Sequence, residues 1–436
     1  MWLAIASFYV RSQNRQKQVT KFAKRSEKYV DARYLKKFRQ KTGLNQADFA
    51  KVCGIDRTLI SRYETGKKAL SLARFNEIKS AFGYGDAEKE RLRVLIDYVR
   101  ITFKSVRDLD FFCTMFLHCK FKDFRSVTSG LLNYNHVWQR GNIWIFDFAD
   151  KFDTGNYQIT LQMSGQGCRE FECILAKYDL TWFDFFKDLD FSYRATMNVT
   201  RLDIAIDELY LGKGNENEQF ELSDMITKYY NQELYFEKLR RWNYIGGGSL
   251  NFEDEQDRED NRQGISLYFG SRQSELYFNF YEKRYERAKE DGISVEDALC
   301  VYDEWNRYEI RLAQKKANAV VQEYLQGIDL GEIARGLINA NFDVYDGLNE
   351  WGAYLADKKW QNLFGGSLPL VLSTKPEPYS IEKTIKWLSQ QVAPSLALVS
   401  EYDKITQEDY LAMILNSGEI TERGQQMLDD IKNSLR

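Results

Sequence analysis

The chain has 436 residues, with 61 Lys and Arg against 64 Asp and Glu and a formal net charge of −3. Apolar residues at 44% and charged residues at 29% are the proportions of a globular protein, which excludes disorder along the whole chain, and the length predicts two or three domains. Two histidines, His118 and His136, exclude a three-histidine metal cluster, and the six cysteines without a CxxC pair point away from zinc and from a disulfide framework.

The opening WLAIASFYV is nine residues, too short to span a bilayer, and it precedes a basic stretch instead of following one, unlike a signal peptide. No later stretch is long and apolar enough to span. Together with unpaired thiols, this predicts a cytoplasmic protein with no membrane insertion. From Arg11 to Lys41, twelve Lys or Arg stand against Glu27 and Asp31. Such an arm suits a polyanion partner or simply a solvated face.

Residues 31–100 read as short helices. Within them, LKKFRQKTGLNQADFAKVCGIDRTLISRYETGKKAL, Leu35 to Leu70, has an internal logic. Asn45 can cap a helix from Gln46, packed through Ala47, Phe49, Ala50 and Val52. Gly54 permits a tight turn. Asp56 can cap a second helix that turns Leu59, Ile60 and Tyr63 inward and leaves Arg57, Thr58, Ser61 and Arg62 outward. The segment resembles the phage-repressor type of helix-turn-helix, matched through Gly43, Leu44, Gln46, Ala50, Gly54, Ile55, Ile60, Ser61, Tyr63, Glu64 and Gly66. That resemblance implies duplex binding, with Gln46 and Ser61 near phosphates and Arg57, Thr58 or Arg62 at base edges. A helical bundle used for protein contacts is the alternative.

After Asp108 the pattern reads as strands at CTMFLHCKF, NIWIFDF, YQITLQM and REFECIL, then a helix at WFDFFKDLDF and a strand at NVTRLDIAID. A helical segment from Leu222 to Trp242, a glycine turn at GGGS, strands SLYFG and LYFNFYE, a helix from Lys283 and a strand RYEIRL follow. From Ala313 onward the chain reads as mostly helical. Pro369, Pro376, Pro378 and Pro394 mark a hinge before a final helical segment.

Strand period two places Arg201, Asp203, Ala205 and Asp207 on one face and Leu202, Ile204 and Ile206 on the other. RYEIRL repeats this with Arg307, Glu309 and Arg311 opposite Tyr308, Ile310 and Leu312. In SELYFNFYEKRY, Tyr277, Asn279 and Tyr281 share a face. Two strands each offering a carboxylate beside an arginine suit either cross-strand ion pairing or oxygen ligation of Mg²⁺ or Mn²⁺.

TRLDIAID, LYFGSRQSELYFNFYEK and NRYEIRL resemble, in this order, the blocks of the replication initiators of rolling-circle plasmids (the Rep_trans family). They also resemble the related MOB-T conjugative relaxases of Gram-positive integrative elements. Tyr268, Phe269, Gly270, Arg272, Ser274, Tyr281, Lys283, Arg307, Glu309, Ile310 and Leu312 carry the match. MSGQGCRE, Met163 to Glu170, and the helix-turn-helix in front look like the relaxase branch. The acidic stretch from Glu253 to Asp260 departs from the pattern.

The resemblance implies a multidomain protein: an N-terminal all-α helix-turn-helix domain, an α+β catalytic domain with a central, largely antiparallel sheet, and a helical C-terminal segment. The expected divisions are a basic arm over 1–30, the helix-turn-helix domain over 31–100, the catalytic domain over 108–365 and the hinge with C-terminal helices over 366–436. It implies site- and strand-specific nicking and rejoining at an origin of transfer through a 5′-phosphotyrosyl link. Tyr281 is the implied nucleophile, with Tyr277 and Tyr285 as competitors and Lys283 as an assisting cation. Asp203, Asp207 and Glu309 are the implied ligands of Mg²⁺ or Mn²⁺, supported by Arg272 and Arg307. Expected partners are origin DNA, duplex and single-stranded, and a helicase, accessory factor or conjugative coupling protein. A plasmid replication initiator with the same chemistry is one rival reading; a non-catalytic helix-turn-helix transcriptional repressor is the other.

Overall fold

The computed structural model describes residues 29–85, 92–127, 133–210, 220–247, 263–291, 304–368 and 370. Of the remainder it describes 385, 388–418, 420, 425, 428 and 432. The basic arm to residue 28, the acidic stretch 253–260, Cys300, Pro369, Pro376 and Pro378 lie outside the described residues.

Four short helices open the fold: α1 (Ala32–Thr42), α2 (Gln46–Val52), α3 (Arg57–Glu64) and α4 (Leu72–Ser80), with a ribbon of β1 (Tyr29–Val30) and β2 (Leu70–Ser71). The Asn45 side chain accepts from the amides of Ala47 and Asp48, and that of Asp56 accepts from Thr58. Both caps therefore sit where the sequence places them. Between them Gly54 takes φ 62°, a left-handed conformation that glycine adopts without steric cost. Leu35, Phe49, Ile60, Tyr63, Phe75 and Phe82 close the core, and Ala353, nearly 300 residues away in sequence, is fully buried in it.

The main body is a ten-stranded sheet in the order β10-β11-β12-β13-β8-β3-β7-β6-β5-β4, every pair antiparallel. Its strands are β3 (Leu92–Phe103), β4 (Arg125–Val127), β5 (His136–Arg140), β6 (Ile143–Asp147), β7 (Ile159–Met163), β8 (Met197–Tyr210), β10 (Trp242–Gly247), β11 (Gln263–Phe269), β12 (Leu276–Glu282) and β13 (Glu304–Ala313). A smaller sheet joins β9 (Leu234–Phe236), β14 (Phe342–Leu348) and β15 (Tyr354–Ala356). Leu202, Ile204 and Ile206 of β8, Tyr308, Ile310 and Leu312 of β13, and Phe278 and Phe280 of β12 form one apolar face. Into the same core go Phe185, Phe186 and Leu189 of α7 (Trp182–Tyr193), Val320 and Val321 of α10 (Gln314–Leu325), and Ile333 and Leu337 of α11 (Leu330–Asn339).

Four expectations are corrected. Residues 92–100, read as helical, belong to β3. CTMFLHCKF overlaps α5 (Leu109–Phe116), which Asp108 caps and which buries Leu109, Phe112, Cys113 and Phe116 at helical spacing. REFECIL lies in α6 (Gly165–Ala176), where Cys168, Phe171, Ile174 and Leu175 form the buried stripe. The helix from Leu222, α8 (Leu222–Tyr230), stops at Tyr230, before β9 and β10. Beyond Ala313 the described chain is mostly helical, as expected, with β14 and β15 between the helices. Short apolar runs satisfy either period, and tertiary burial decides between them.

The helices α9 (Lys283–Asp291) and α12 (Lys358–Phe364) complete the first compact unit, which extends to Leu372. A second unit, from Ser373, contains α13 (Ala393–Thr406), with Pro394 in its first turn, and α14 (Tyr410–Asn416). Among the described residues no helix is long and apolar enough to cross a membrane.

Candidate active site

Register across β12, β13, β8 and β3 places polar side chains in rows. Tyr281 pairs with Arg307, Arg307 with Asp207, and Asp207 with Arg93. In the next row Asn279 pairs with Glu309 and Glu309 with Ala205; in the third, Tyr277 pairs with Arg311, Arg311 with Asp203, and Asp203 with Tyr98. Even spacing along each strand keeps these rows on the face opposite the apolar core. The acid–arginine strands foreseen from sequence are therefore adjacent, with β12 beside them.

Asp203, Asp207, Arg307 and Glu309 are all buried. Arg307 forms a fork on Asp207, with Nε donating to Oδ1 at 2.6 Å and Nη2 to Oδ2 at 2.8 Å, while Nη1 donates to Asp97 Oδ1 at 3.0 Å. Arg201 Nε donates to both oxygens of Asp203 at 2.9 and 3.1 Å, and its Nη2 reaches the same carboxylate. Arg311 stands 3.7 Å from Asp203 and 3.9 Å from Glu309.

Glu309 is the carboxylate with least compensation. Its carboxyl is pushed up to about 8 by burial first, then by the negative charges of Asp203 and Asp97. Beside it the Asn279 side-chain oxygen is buried and has no hydrogen-bond partner among the described residues. Burial also raises Asp203, against the opposing pull of Arg201.

Tyr281 is half-buried at the end of β12. Burial raises its phenol well above the usual range; Arg307 pulls it down, and Glu309, Glu286 and Asp97 push it up. Lys283 Nζ lies 5.8 Å from the centre of its ring and is held by Glu286 Oε1 at 2.6 Å. Tyr277 is buried, receives Arg272 Nε at 3.5 Å on its hydroxyl and has Arg311 over its ring at 5.4 Å. Tyr285 lies on α9, outside the strand. Arg272 reaches Tyr277 from the β11–β12 turn, where Gly270 takes φ 91°.

Asp97 is a site residue that sequence reasoning missed. It sits where the β3–β8 register shifts, between Ile96 and Tyr98, so a bulge sets its direction. The MSGQGCRE stretch supports that bulge: Arg169 Nη2 donates to the Ile96 carbonyl at 2.5 Å, and a Cβ on Gly165 would stand 3.3 Å from Asp97 Oδ1. An acid inside the apolar run RVLIDYV was the available signal.

The oxygen-rich, mutually repelling set Glu309, Asp203 and Asp97, with the orphaned Asn279 oxygen, has the donor chemistry of a hard divalent cation. Among the described residues, however, no three His, Cys, Asp or Glu side chains are gathered as ready ligands; Arg201 holds Asp203 and Arg307 holds Asp207.

In the helix-turn-helix, Arg57, Thr58 and Arg62 are exposed and Ser61 is half-buried. Gln46 instead turns toward the domain, donating to Glu64 Oε2 at 2.8 Å, while Arg39 holds the same carboxylate at 2.6 Å.

The pattern of the replication initiation factor family matches residues 197–415, which hold β8, β12 and β13. The chain belongs to the replication initiation factor family. Residues 93–188 match the N-terminal domain of rolling circle replication initiation proteins, and residues 35–88 match a helix-turn-helix family. A Bacillus subtilis (strain 168) protein that bears the name DNA relaxase NicK is 29% identical over 350 residues, covering 79% of this chain and 91% of that protein. The solved structure of a rolling circle replication initiator protein from Geobacillus stearothermophilus is 25% identical. It covers 62% of this chain and 94% of its own, with a TM-score of 0.48.

Proposed function

We propose that this member of the family nicks and rejoins one DNA strand at an origin of conjugative transfer or of rolling-circle replication, with Tyr281 as nucleophile. The observation that carries the reading is the row Tyr281–Arg307–Asp207 beside Glu309 and Asp203 on one polar sheet face. A repressor has no use for that row. The relaxase reading, of the MOB-T type in an integrative element, is favoured by the relative named for relaxase activity and by the helix-turn-helix in front of the catalytic region.

The Tyr281 oxygen forms a bond to the scissile phosphorus as the bond to the 3′-oxygen breaks. The phenol gives up its proton, and the 3′-hydroxyl leaves protonated. The resulting 5′-phosphotyrosyl link conserves the phosphodiester, so rejoining is the reverse step and needs no nucleotide. Arg307 favours the phenolate, and Lys283 lies over the same ring. Asp207 and Asp97 hold the Arg307 guanidinium in place. Glu309 and Asp203, with Asp97 and the Asn279 oxygen alongside, are the residues that would hold Mg²⁺ or Mn²⁺. Bound there, the cation supplies Lewis-acid polarisation of the phosphate. Asp207 is assigned to positioning Arg307.

The exposed Arg57, Thr58 and Arg62 of α3 read the duplex origin in the cytoplasm, and a helicase or coupling protein takes over the freed strand. The test is incubation with a supercoiled plasmid carrying the cognate origin and Mn²⁺ or Mg²⁺. Nicked DNA covalently attached to protein is expected, and Tyr281→Phe abolishes it while duplex binding remains. An adduct that survives Tyr281→Phe but not Tyr277→Phe moves the nucleophile.

A further inference from the structure

At the far edge of the sheet, the run YYNQELYFEKLRRWNY, residues 229–244, carries six aromatic and three basic residues. This run forms the end of α8, β9, the connection after it and the edge strand β10. Tyr230, Tyr235 and Tyr244 are 67%, 51% and 43% exposed, an unusual concentration of large rings in water. Tyr229 stands 4.3 Å from Trp242 between ring centres, and Trp242 stacks on Tyr244 at 5.5 Å and 29°. Tyr229, Tyr230 and Tyr235 line an open groove of about 1030 Å³, whose walls also include Glu237, the α1 residues Lys37, Gln40 and Lys41, and the stacked pair Tyr345–Tyr354.

Charge selects the occupant. Lys37, Lys238, Arg240 and Arg241 are exposed, and none has a carboxylate partner among the described residues. The one acid on the groove wall, Glu237, stands 3.6 Å from Lys41, which also holds Asp343 at 2.6 Å. Rings of this size meet unpaired bases by stacking without regard to sequence, whereas duplex bases already stack on each other. Lys37 on the groove wall, and Lys238, Arg240 and Arg241 beside it in the chain run that supplies the rings, offer charge to the phosphates of such a strand. In β10, Trp242 and Tyr244 pair with Phe269 and Leu267 of the apolar face, so the rings lie on the side of the sheet away from Tyr281.

We propose that this groove is a second nucleic-acid site, which holds single-stranded DNA without sequence preference while Tyr281 works on the other face. The proposal rests on the strand-nicking reading for its biological sense, but its test does not. The full chain is titrated, in EDTA, with a fluorescent oligothymidylate of about 16 nucleotides, the upper end of single-strand site sizes and free of any nick site. Tyr230→Ala/Tyr235→Ala should weaken binding about tenfold per ring, and Tyr230→Phe/Tyr235→Phe should restore it, because phenylalanine stacks too. Arg240→Gln/Arg241→Gln should weaken binding and reduce the slope of log affinity against log salt by about 1.4. Duplex origin binding and thermal unfolding should match the wild type in all variants. Oligothymidylate binding that is equal in the wild type and both loss variants overturns the proposal, as does equal affinity for a random duplex. Groove-dependent binding by a protein that fails to nick supports the groove and removes only the catalytic reading.

Discussion

Replacing Arg307 by Met keeps an unbranched apolar stem in place of the guanidinium and removes the charge. Arg307 and Asp207 side chains are only 8% and 3% exposed, and the fork between them has two bonds of 2.6 and 2.8 Å. Asp97, the third partner, is 21% exposed and keeps some hydration. Breaking one side of a buried pair typically costs 3–5 kcal/mol because an uncompensated charge stays behind. The partial solvation of Asp97 puts Arg307→Met near the lower end, about 3 kcal/mol. Removing the second charge as well should relieve most of that cost. Arg307→Met/Asp207→Asn is therefore expected to be less destabilised than Arg307→Met alone, despite carrying one more substitution. Urea denaturation of the wild type, both single variants and the double variant completes the cycle. An Arg307→Met cost under about 1 kcal/mol, or costs that simply add, refutes the reading of this row as a charge-compensated unit.

Tyr281→Phe should change stability by less than about 0.5 kcal/mol, since its hydroxyl has no hydrogen-bond partner among the described residues, yet it should abolish the covalent adduct on a gel. Mn²⁺ should raise the unfolding temperature of the wild type and not that of Glu309→Gln; equal shifts in a thermal melt would place the cation elsewhere. Arg57→Ala/Arg62→Ala should weaken duplex-origin binding and relax its sequence preference, by about 1–3 kcal/mol for each lost base contact, in a filter-binding titration against origin and random duplex, leaving cleavage of a single-stranded oligonucleotide unchanged. Deletion of residues 1–85 is different: it uncovers Ala353 and leaves Asp343 without Lys41, so a lower unfolding temperature is expected along with the lost duplex binding.

Local chemistry made much of this protein legible before any coordinates. Asn45, Gly54 and Asp56 act within a few residues of themselves, so the helix-turn-helix could be read from caps and a turn. Period two was equally local: it assigned Asp203, Asp207, Arg307, Glu309 and Tyr281 to one face of their strands and Ile204, Tyr308 and Ile310 to the other. What needed the tertiary structure was everything set by partners distant along the chain. Short apolar runs such as those in α5 and α6 fit a helix or a strand until the layer that buries them is known. The bulge that aims Asp97 exists only in the pairing of β3 with β8, and the bonds that commit Asp207 to Arg307 and Gln46 to Glu64 cross gaps of 100 and 18 residues. The aromatic groove likewise joins α1 to strands some 200 and 300 residues later. Side-chain period is a property of one strand, but which charge neutralises which is a property of register and packing, and these exist only once the chain has closed on itself.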